Sequence, residues 1–159
     1  MPAAAALPLC RASDLSLAVD AEHGAFDGMS HSGTLLVIRN LAPHACALAG
    51  LPTLTLRSAG GKSLPITRAA PRFMHPGPVI VPLRLAAGAE ATAALRWVAG
   101  AVYDRGRCYA VASLGVAIGT GTIRTGLPAR ICGPASGVTI EQPPLRLDPR
   151  VDEASPATR

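Results

Sequence analysis

Residues 107–118 of the chain read RCYAVASLGVAI, and they carry its clearest secondary-structure signal. Apolar residues alternate through this stretch with a period of two, which is typical of a β-strand that buries one face. The side chains predicted to point inward are Tyr109, Val111, Leu114, Val116 and Ile118. The parity of the pattern changes around Ser113, which indicates a bulge or a break in the strand.

On both sides of this stretch, similar short patterns recur along most of the chain. Residues 91–98 place Ala93, Leu95 and Trp97 on one face, and residues 34–40 are nearly all apolar, as expected for a central strand covered on both faces. Further strands are predicted over 14–21, 53–57 and 79–85, through Ile123 and over 138–140. No window shows a helical stripe, so the sequence predicts an all-β, antiparallel β-sandwich of about 7–9 strands.

The composition supports one domain with an unusual core. Hydrophobic residues make up 49% of the 159 residues but aromatic residues only 3%, so the core must be built from Leu, Val, Ile and Ala. We expect residues 10–142 to form the sandwich, with predicted loops over 26–33 and 71–78. Residues 1–9 are interpreted as the remnant left after removal of a leader, and 143–159 as a disordered tail.

The formal net charge of +5 is compatible with nucleic acid or with an anionic surface. The arginines are scattered, and aromatic side chains that could stack on bases are almost absent beside them. We therefore expect no nucleic-acid partner. No apolar stretch of about 18 residues exists, so no transmembrane segment is expected.

The chain contains four cysteines: Cys10, Cys46, Cys108 and Cys132. They form no C-x-x-C pair and stand far apart, which excludes a short metal knuckle. An even number of widely spaced cysteines in a strand-rich chain predicts two disulfides and a location outside the reducing cytosol. The spacing leaves three pairings open, and a cytosolic chain with four free thiols is the alternative.

The sequence lacks the catalytic signatures that we sought. Residues 60–63, GGKS, resemble the end of a phosphate-binding loop, but Leu56 stands where its first glycine belongs. No G-x-S-x-G elbow and no H-E-x-x-H motif is present. We therefore expect no catalysis, and a hydrolase with His31 as its base is the weakest hypothesis.

Two loops combine methionine with histidine: Met29 with His31, and Met74 with His75. Thioether and imidazole ligands suit copper, particularly Cu(I), in an oxidising compartment. If both loops lie at one end of the sandwich, these four residues form a candidate metal site. The alternative is structural: Met74 fills a gap in the core, and the histidines hydrogen-bond to backbone in turns.

Several segments together resemble a known family. They are Cys10, L-x-L at 15–17, the apolar strand ending at Asn40, CALAGLP at 46–52, L-x-L at 54–56, AAGA at 86–89, L-x-W at 95–97, Cys108 and Cys132. This set is similar to bacterial secreted proteins of the domain-of-unknown-function 4232 family. The resemblance implies an immunoglobulin-like sandwich, export, and the bridges Cys10–Cys46 and Cys108–Cys132, with no established activity.

The sequence is therefore interpreted as an exported, disulfide-stapled sandwich, periplasmic or secreted. We expect a non-catalytic binding or cell-envelope accessory module that contacts an unknown protein or small ligand through its Met/His loops. We expect no cofactor, and a monomer or weak dimer. The alternative function is that of a periplasmic copper-binding protein.

Overall fold

The computed structural model describes residues 6–71 and 80–148, which form strands connected by turns. The strands are β1 (Leu15–Asp20), β2 (His31–Asn40), β3 (Cys46–Leu48), β4 (Leu54–Arg57), β5 (Ile66–Ala69), β6 (Leu83–Leu85), β7 (Glu90–Val98), β8 (Arg107–Ile118), β9 (Gly121–Gly133), β10 (Val138–Glu141) and β11 (Arg146–Leu147). Short 3-10 turns cover Ala12–Asp14 and Glu22–Gly24. Within the described ranges, no helix has the length and apolar character needed to cross a membrane.

The strands form two layers, so the predicted all-β sandwich is confirmed. In the first layer, β2 pairs antiparallel with β1 on one side and with β7 on the other. The far edge of β7 is lined by β11 and β10, and β10 pairs in parallel with β5. In the second layer, β8 pairs antiparallel with β9 and β4. The layers join where Cys132 of β9 pairs with Val98 of β7, and β3 and β6 form a separate two-stranded sheet.

The core lies between the layers and is aliphatic, as the composition predicts. The strands of the first layer bury Leu36, Ile38 and Leu95, and those of the second bury Leu114, Val116 and Ile131. Trp97 is the buried aromatic residue of this cluster. In β2, the side chains of Leu35 and Val37 on the opposite face are only half-buried, so the expected full cover on both faces is partial.

The bulge predicted around Ser113 is present, and β9 explains it. Val111 pairs with Ala129, but the next pair joins Ser113 to Gly126. Two residues of β9, one of them Pro128, therefore oppose a single residue of β8. Proline has no backbone N–H to give to a ladder, so it is accommodated where the ladder is already interrupted.

A buried asparagine organises the end of the sandwich where β2 stops. Asn40 is fully buried, and its Nδ2 donates to the carbonyl oxygens of His44 (2.9 Å) and Leu85 (3.0 Å), with that of Ala86 at 3.3 Å. Its Oδ1 accepts a hydrogen bond from the N–H of Ala42 at 3.0 Å. Because burying a polar group without partners is costly, this network ties the connection after β2 to the end of β6. We call this region the Asn40 end.

Both disulfides are formed in the pairing that the family resemblance implies. Cys10–Cys46 ties the segment before β1 to β3, and Cys108–Cys132 joins residues directly opposite each other in β8 and β9. No cysteine is free. The two bridges indicate an oxidising, exported location.

Three predicted boundaries are wrong. The loop predicted over 26–33 ends earlier, because β2 begins at His31. The strand predicted over 79–85 comprises three residues, Leu83–Leu85, and Val81 before it is exposed. The strand predicted through Ile123 is much longer, because β9 continues to Gly133 opposite β8.

The tail predicted from residue 143 is ordered at its start. Leu145 and Asp148 are buried, and β11 pairs with β7. Backbone hydrogen bonds explain this, because the N–H of Leu145 donates to Gly50 O at 2.7 Å and that of Asp148 to Glu90 O at 3.0 Å. The single domain therefore reaches at least Asp148, and the rest of the predicted tail lies outside the described residues.

Candidate functional site

Two connections meet at the end of the sandwich opposite the Asn40 end. Residues 21–30 join β1 to β2, and residues 99–106 join β7 to β8. Since His31 pairs with Val98, the two connections leave their strands side by side. The N–H of Ala99 donates to Ser30 O at 2.8 Å, which links them. We call residues 21–30 and 99–106, with His31 at their base, the loop surface.

The backbone of the loop surface is unusual. Four residues other than glycine have a positive φ: Glu22 (51°), His23 (56°), Ser30 (65°) and Arg105 (57°). All four lie in the loop surface, and no other non-glycine residue of the described chain shares this conformation. A left-handed backbone costs a residue with a side chain on the order of 1 kcal/mol, so it persists only where its surroundings enforce it.

Local hydrogen bonds enforce this backbone. Gly28 and His31 exchange backbone hydrogen bonds, with Gly28 N to His31 O at 3.0 Å and His31 N to Gly28 O at 3.3 Å. This closes a tight turn with Met29 and Ser30 at its tip. Beside the turn, the hydroxyl of Ser32 donates to Oδ1 of Asp27 at 2.7 Å. Hydrogen bonds therefore fix the turn on both of its sides.

Phe26 anchors the longer connection to the sheet. Its ring lies over Gly33, because a Cβ built there would stand 2.9 Å from Cδ1 of Phe26. Cζ of Arg96 lies 4.9 Å from the centroid of the same ring, a cation–π contact. Gly33 and Arg96 are paired across β2 and β7. The glycine is required here because a Cβ would clash with the backbone carbonyl oxygen of Leu95 and with the ring of Phe26.

The loop surface presents large apolar side chains to solvent. Met29 is 92% exposed, Val102 56% and Tyr103 40%. These side chains stand on backbone that is held by hydrogen bonds and by the nearby Cys108–Cys132 bridge. Exposed apolar groups on a fixed scaffold suit the docking of another molecule.

The structure describes two of the four residues of the predicted Met/His site, and it does not test whether they bind metal. Met29 and His31 lie two residues apart on one turn, and both are exposed. Met74 and His75 lie outside the described residues. Within the ranges that the structure covers, no group of three or more His, Cys, Asp or Glu residues is arranged to hold a metal ion. The copper hypothesis stays a prediction.

No contact among the described residues supports the hydrolase hypothesis. A base must hydrogen-bond to its nucleophile, directly or nearly so. The hydroxyl of Ser32, the next residue in the chain, donates to Oδ1 of Asp27. Among the described residues, the His31 imidazole has no hydrogen-bond partner. The absence of catalysis likewise stays a prediction.

A small apolar cleft lies at the Asn40 end, beside the first disulfide. It has a volume of about 190 Å³ and is lined by residues that include Leu9, Leu48, Ala117 and Ile118. No charged or hydrogen-bonding side chain lines it. The cleft can therefore pack against an apolar group, but it has no side chain for polar recognition or catalysis.

Sequence reasoning missed Phe26, Val102, Tyr103 and Arg105. A glycine inside an otherwise apolar strand, Gly33, was the available signal for the close approach of Phe26. Residues 99–106, AGAVYDRG, place an aromatic residue among turn-forming residues between two strands, which is a signal for an exposed loop. The left-handed conformation of Arg105 had no sequence signal.

Comparison with known proteins gives one match. No curated protein matches the chain, and no solved structure does. The family model for a domain of unknown function, DUF4232, matches residues 10–149, which spans the two bridges, the Asn40 end and the loop surface. This match covers most of the sequence, and the chain therefore belongs to the DUF4232 family.

Proposed function

We propose that this protein is an exported, non-catalytic binding module that docks a partner through the loop surface. The observation that carries the proposal is the coincidence of two features in residues 21–30 and 99–106. All the left-handed non-glycine residues of the described chain lie there, and so do the exposed side chains of Met29, Val102 and Tyr103.

The rigidity of the loops favours binding. Ordering flexible loops on association costs free energy, and loops that are already fixed avoid much of that cost. Here the Ser30–Ala99 hydrogen bond and the Phe26–Arg96 contact fix both connections before any partner arrives. The partner we expect is a protein, because a methionine that is 92% exposed points outward and encloses no small ligand.

Site-specific photo-cross-linking in cells that make the protein tests this proposal. A photoreactive amino acid at position 103 should give a discrete cross-linked product, which Met29→Ser should abolish. The same amino acid at position 41 is the matched control, because Leu41 is 62% exposed at the Asn40 end. Equal products from both positions, or no product from position 103, would contradict the proposal.

A second candidate function is copper binding, favoured by the exposure of Met29 and His31 on one turn. Titration with Cu(I) against a competing chelator tests it. Copper retention should fall in Met29→Ser, His31→Ala and Met74→Leu, and should be unchanged in His44→Ala, which alters an exposed histidine at the Asn40 end. A wild-type protein that retains no copper at micromolar concentration would remove this candidate.

We further propose a periplasmic or secreted location and a monomer or weak dimer. The two disulfides support export, and fractionation of the producing cells distinguishes the two compartments. Sedimentation velocity over a range of protein concentrations tests the oligomeric state. A stable dimer at micromolar concentration would contradict it.

A further inference from the structure

The second layer of the sandwich carries charge of one sign. Strands β4, β8 and β9 contain four arginines and no acidic residue. The acidic residues of the described chain are Asp14, Asp20, Glu22, Asp27, Glu90, Asp104, Glu141 and Asp148. All of them lie in the first layer, in the loops or at the chain ends. The excess positive charge of the protein is thus concentrated on one sheet.

Three of these arginines lie on the outer face of that sheet. Along β9, the exposed residues alternate with buried ones, and the exposed set is Thr122, Arg124, Gly126, Pro128 and Arg130. On β4, Arg57 alternates with the buried Leu56 and so shares the outer face, where it is half-buried and its Nη1 donates to Gly61 O at 3.0 Å. We call this surface, with the outward residues of β8 between the two strands, the β9 face.

The arginines of the β9 face are spread over two of its strands. Arg124 is paired with Gly115, Arg130 with Ala110, and Arg57 with Ser113, so each arginine stands opposite a small residue. Cγ of Arg124 lies 3.8 Å from where a Cβ of Gly115 would be, so its stem lies across β8. Strand geometry separates Arg124 from Arg130 by about 20 Å and places Arg57 about 10 Å to the side. The charges therefore spread in two dimensions.

The outer face of the first layer differs. There Arg39 is paired with Glu90, and Arg96 with Glu141. Opposite charges at cross-strand positions compensate each other. The β9 face has no such compensation, since no acidic residue lies on its strands. The exposed guanidinium groups of Arg124 and Arg130 therefore carry most of the charge that a partner could meet.

We propose that the β9 face binds an anionic membrane surface. Exposed arginines on strands that carry no acidic residue of their own complement a layer of phosphate headgroups. None of the large hydrophobic side chains exposed in the described chain lies on β4, β8 or β9, so the contact is electrostatic and peripheral. The face carries no aromatic side chain to stack on bases, which favours a membrane over a single-stranded nucleic acid. Docking through this face leaves the loop surface at the end of the sandwich accessible.

Co-sedimentation with vesicles tests the proposal. The protein should bind vesicles of 60% phosphatidylcholine and 40% phosphatidylglycerol, and should not bind pure phosphatidylcholine. Each basic residue near an anionic surface strengthens binding by roughly fivefold, so Arg124→Gln/Arg130→Gln should weaken it about 25-fold. Raising the salt concentration should weaken the binding of the wild type, because the attraction is screened.

The matched control is Arg39→Gln/Arg146→Gln, which removes the same charge from exposed positions of the first layer. It should weaken binding by no more than a few-fold. Thr122→Glu, at another exposed position of the β9 face, should weaken binding without removing an arginine. Equal losses in the two double variants, binding to neutral vesicles, or binding only to soluble polyphosphate would each overturn the proposal. Thermal unfolding of every variant verifies that the fold is intact.

Discussion

The two ends of the sandwich differ in how their backbone is supported. At the Asn40 end, a buried amide satisfies backbone groups of two neighbouring segments, residues 42–44 and 85–86. At the loop surface, the backbone adopts conformations that cost free energy. Large apolar side chains are exposed at both ends, Leu41 at the first and Met29, Val102 and Tyr103 at the second, so the strained backbone is what distinguishes the loop surface. One end is optimised for stability, and the other carries features that stability alone does not explain. This contrast is the reason to look for function at the loop surface.

Removal of each disulfide tests whether the two ends are independent. Cys10→Ala/Cys46→Ala and Cys108→Ala/Cys132→Ala should each lower the free energy of unfolding by roughly 3–4 kcal/mol, because the loops that they close are of similar length. Only loss of the second bridge should speed amide hydrogen exchange in residues 99–106. Faster exchange there after loss of the first bridge would show that the ends are coupled.

Asn40→Ala should lower the free energy of unfolding by about 3 kcal/mol, since several buried backbone groups lose a partner. Urea unfolding measures this change. Asn40→Asp keeps the acceptor for Ala42 but directs a carboxyl group at carbonyl oxygens, which raises the pKa of that introduced group. Its stability should therefore be greater at pH 4 than at pH 7, falling as pH rises. A pH-independent loss would contradict the donor role of Asn40.

Substitution by glycine usually lowers the free energy of unfolding, but at the left-handed positions it should raise it. Ser30→Gly and Arg105→Gly should raise the free energy of unfolding by up to about 1 kcal/mol, because glycine adopts a positive φ without strain. Leu41→Gly, at an exposed position with ordinary backbone, should lower it by about 0.5–1 kcal/mol. Thermal unfolding compares the three. Destabilisation by all of them would mean that the loop backbone is not strained.

Polar substitutions of the exposed apolar side chains should have the smallest effect. Met29→Ser and Tyr103→Ser should change the free energy of unfolding by less than about 0.5 kcal/mol, as should Leu41→Ser at the other end. Chemical denaturation measures all three. A loss above 1 kcal/mol at position 29 or 103 would assign that side chain a structural role and weaken its proposed role in docking.

Much of the fold follows from local pattern, and the errors have identifiable physical causes. The parity change at Ser113 predicted the bulge, because side-chain direction alternates along a strand. The length of β9 was missed because Gly126 and Pro128 resemble a turn, although the ladder with β8 bridges them. The order after residue 143 was missed because it depends on hydrogen bonds to Gly50 and Glu90, far away in sequence.

The candidate site was less predictable. Met29 and His31 were found by residue type, and their exposure agrees with a loop position. Their neighbours across the end, Val102 and Tyr103, come close only because β2 pairs with β7 in a particular register. A single sequence does not reveal that register, nor the left-handed backbone at Ser30. The cysteine pairing likewise came from the family resemblance, since spacing alone left three possibilities.

Pro128 has a further consequence for how these molecules behave when crowded together. Apart from the Val98–Cys132 pair, the side of β9 away from β8 pairs with no strand among the residues described, a geometry that invites uncontrolled growth by strand addition. Pro128 lacks a backbone N–H, so it would interrupt the hydrogen bonds to an added strand. The positive charges of Arg124 and Arg130 would repel an identical strand that approached. The irregularity in β9 should thus protect this edge against pairing with another copy of the chain.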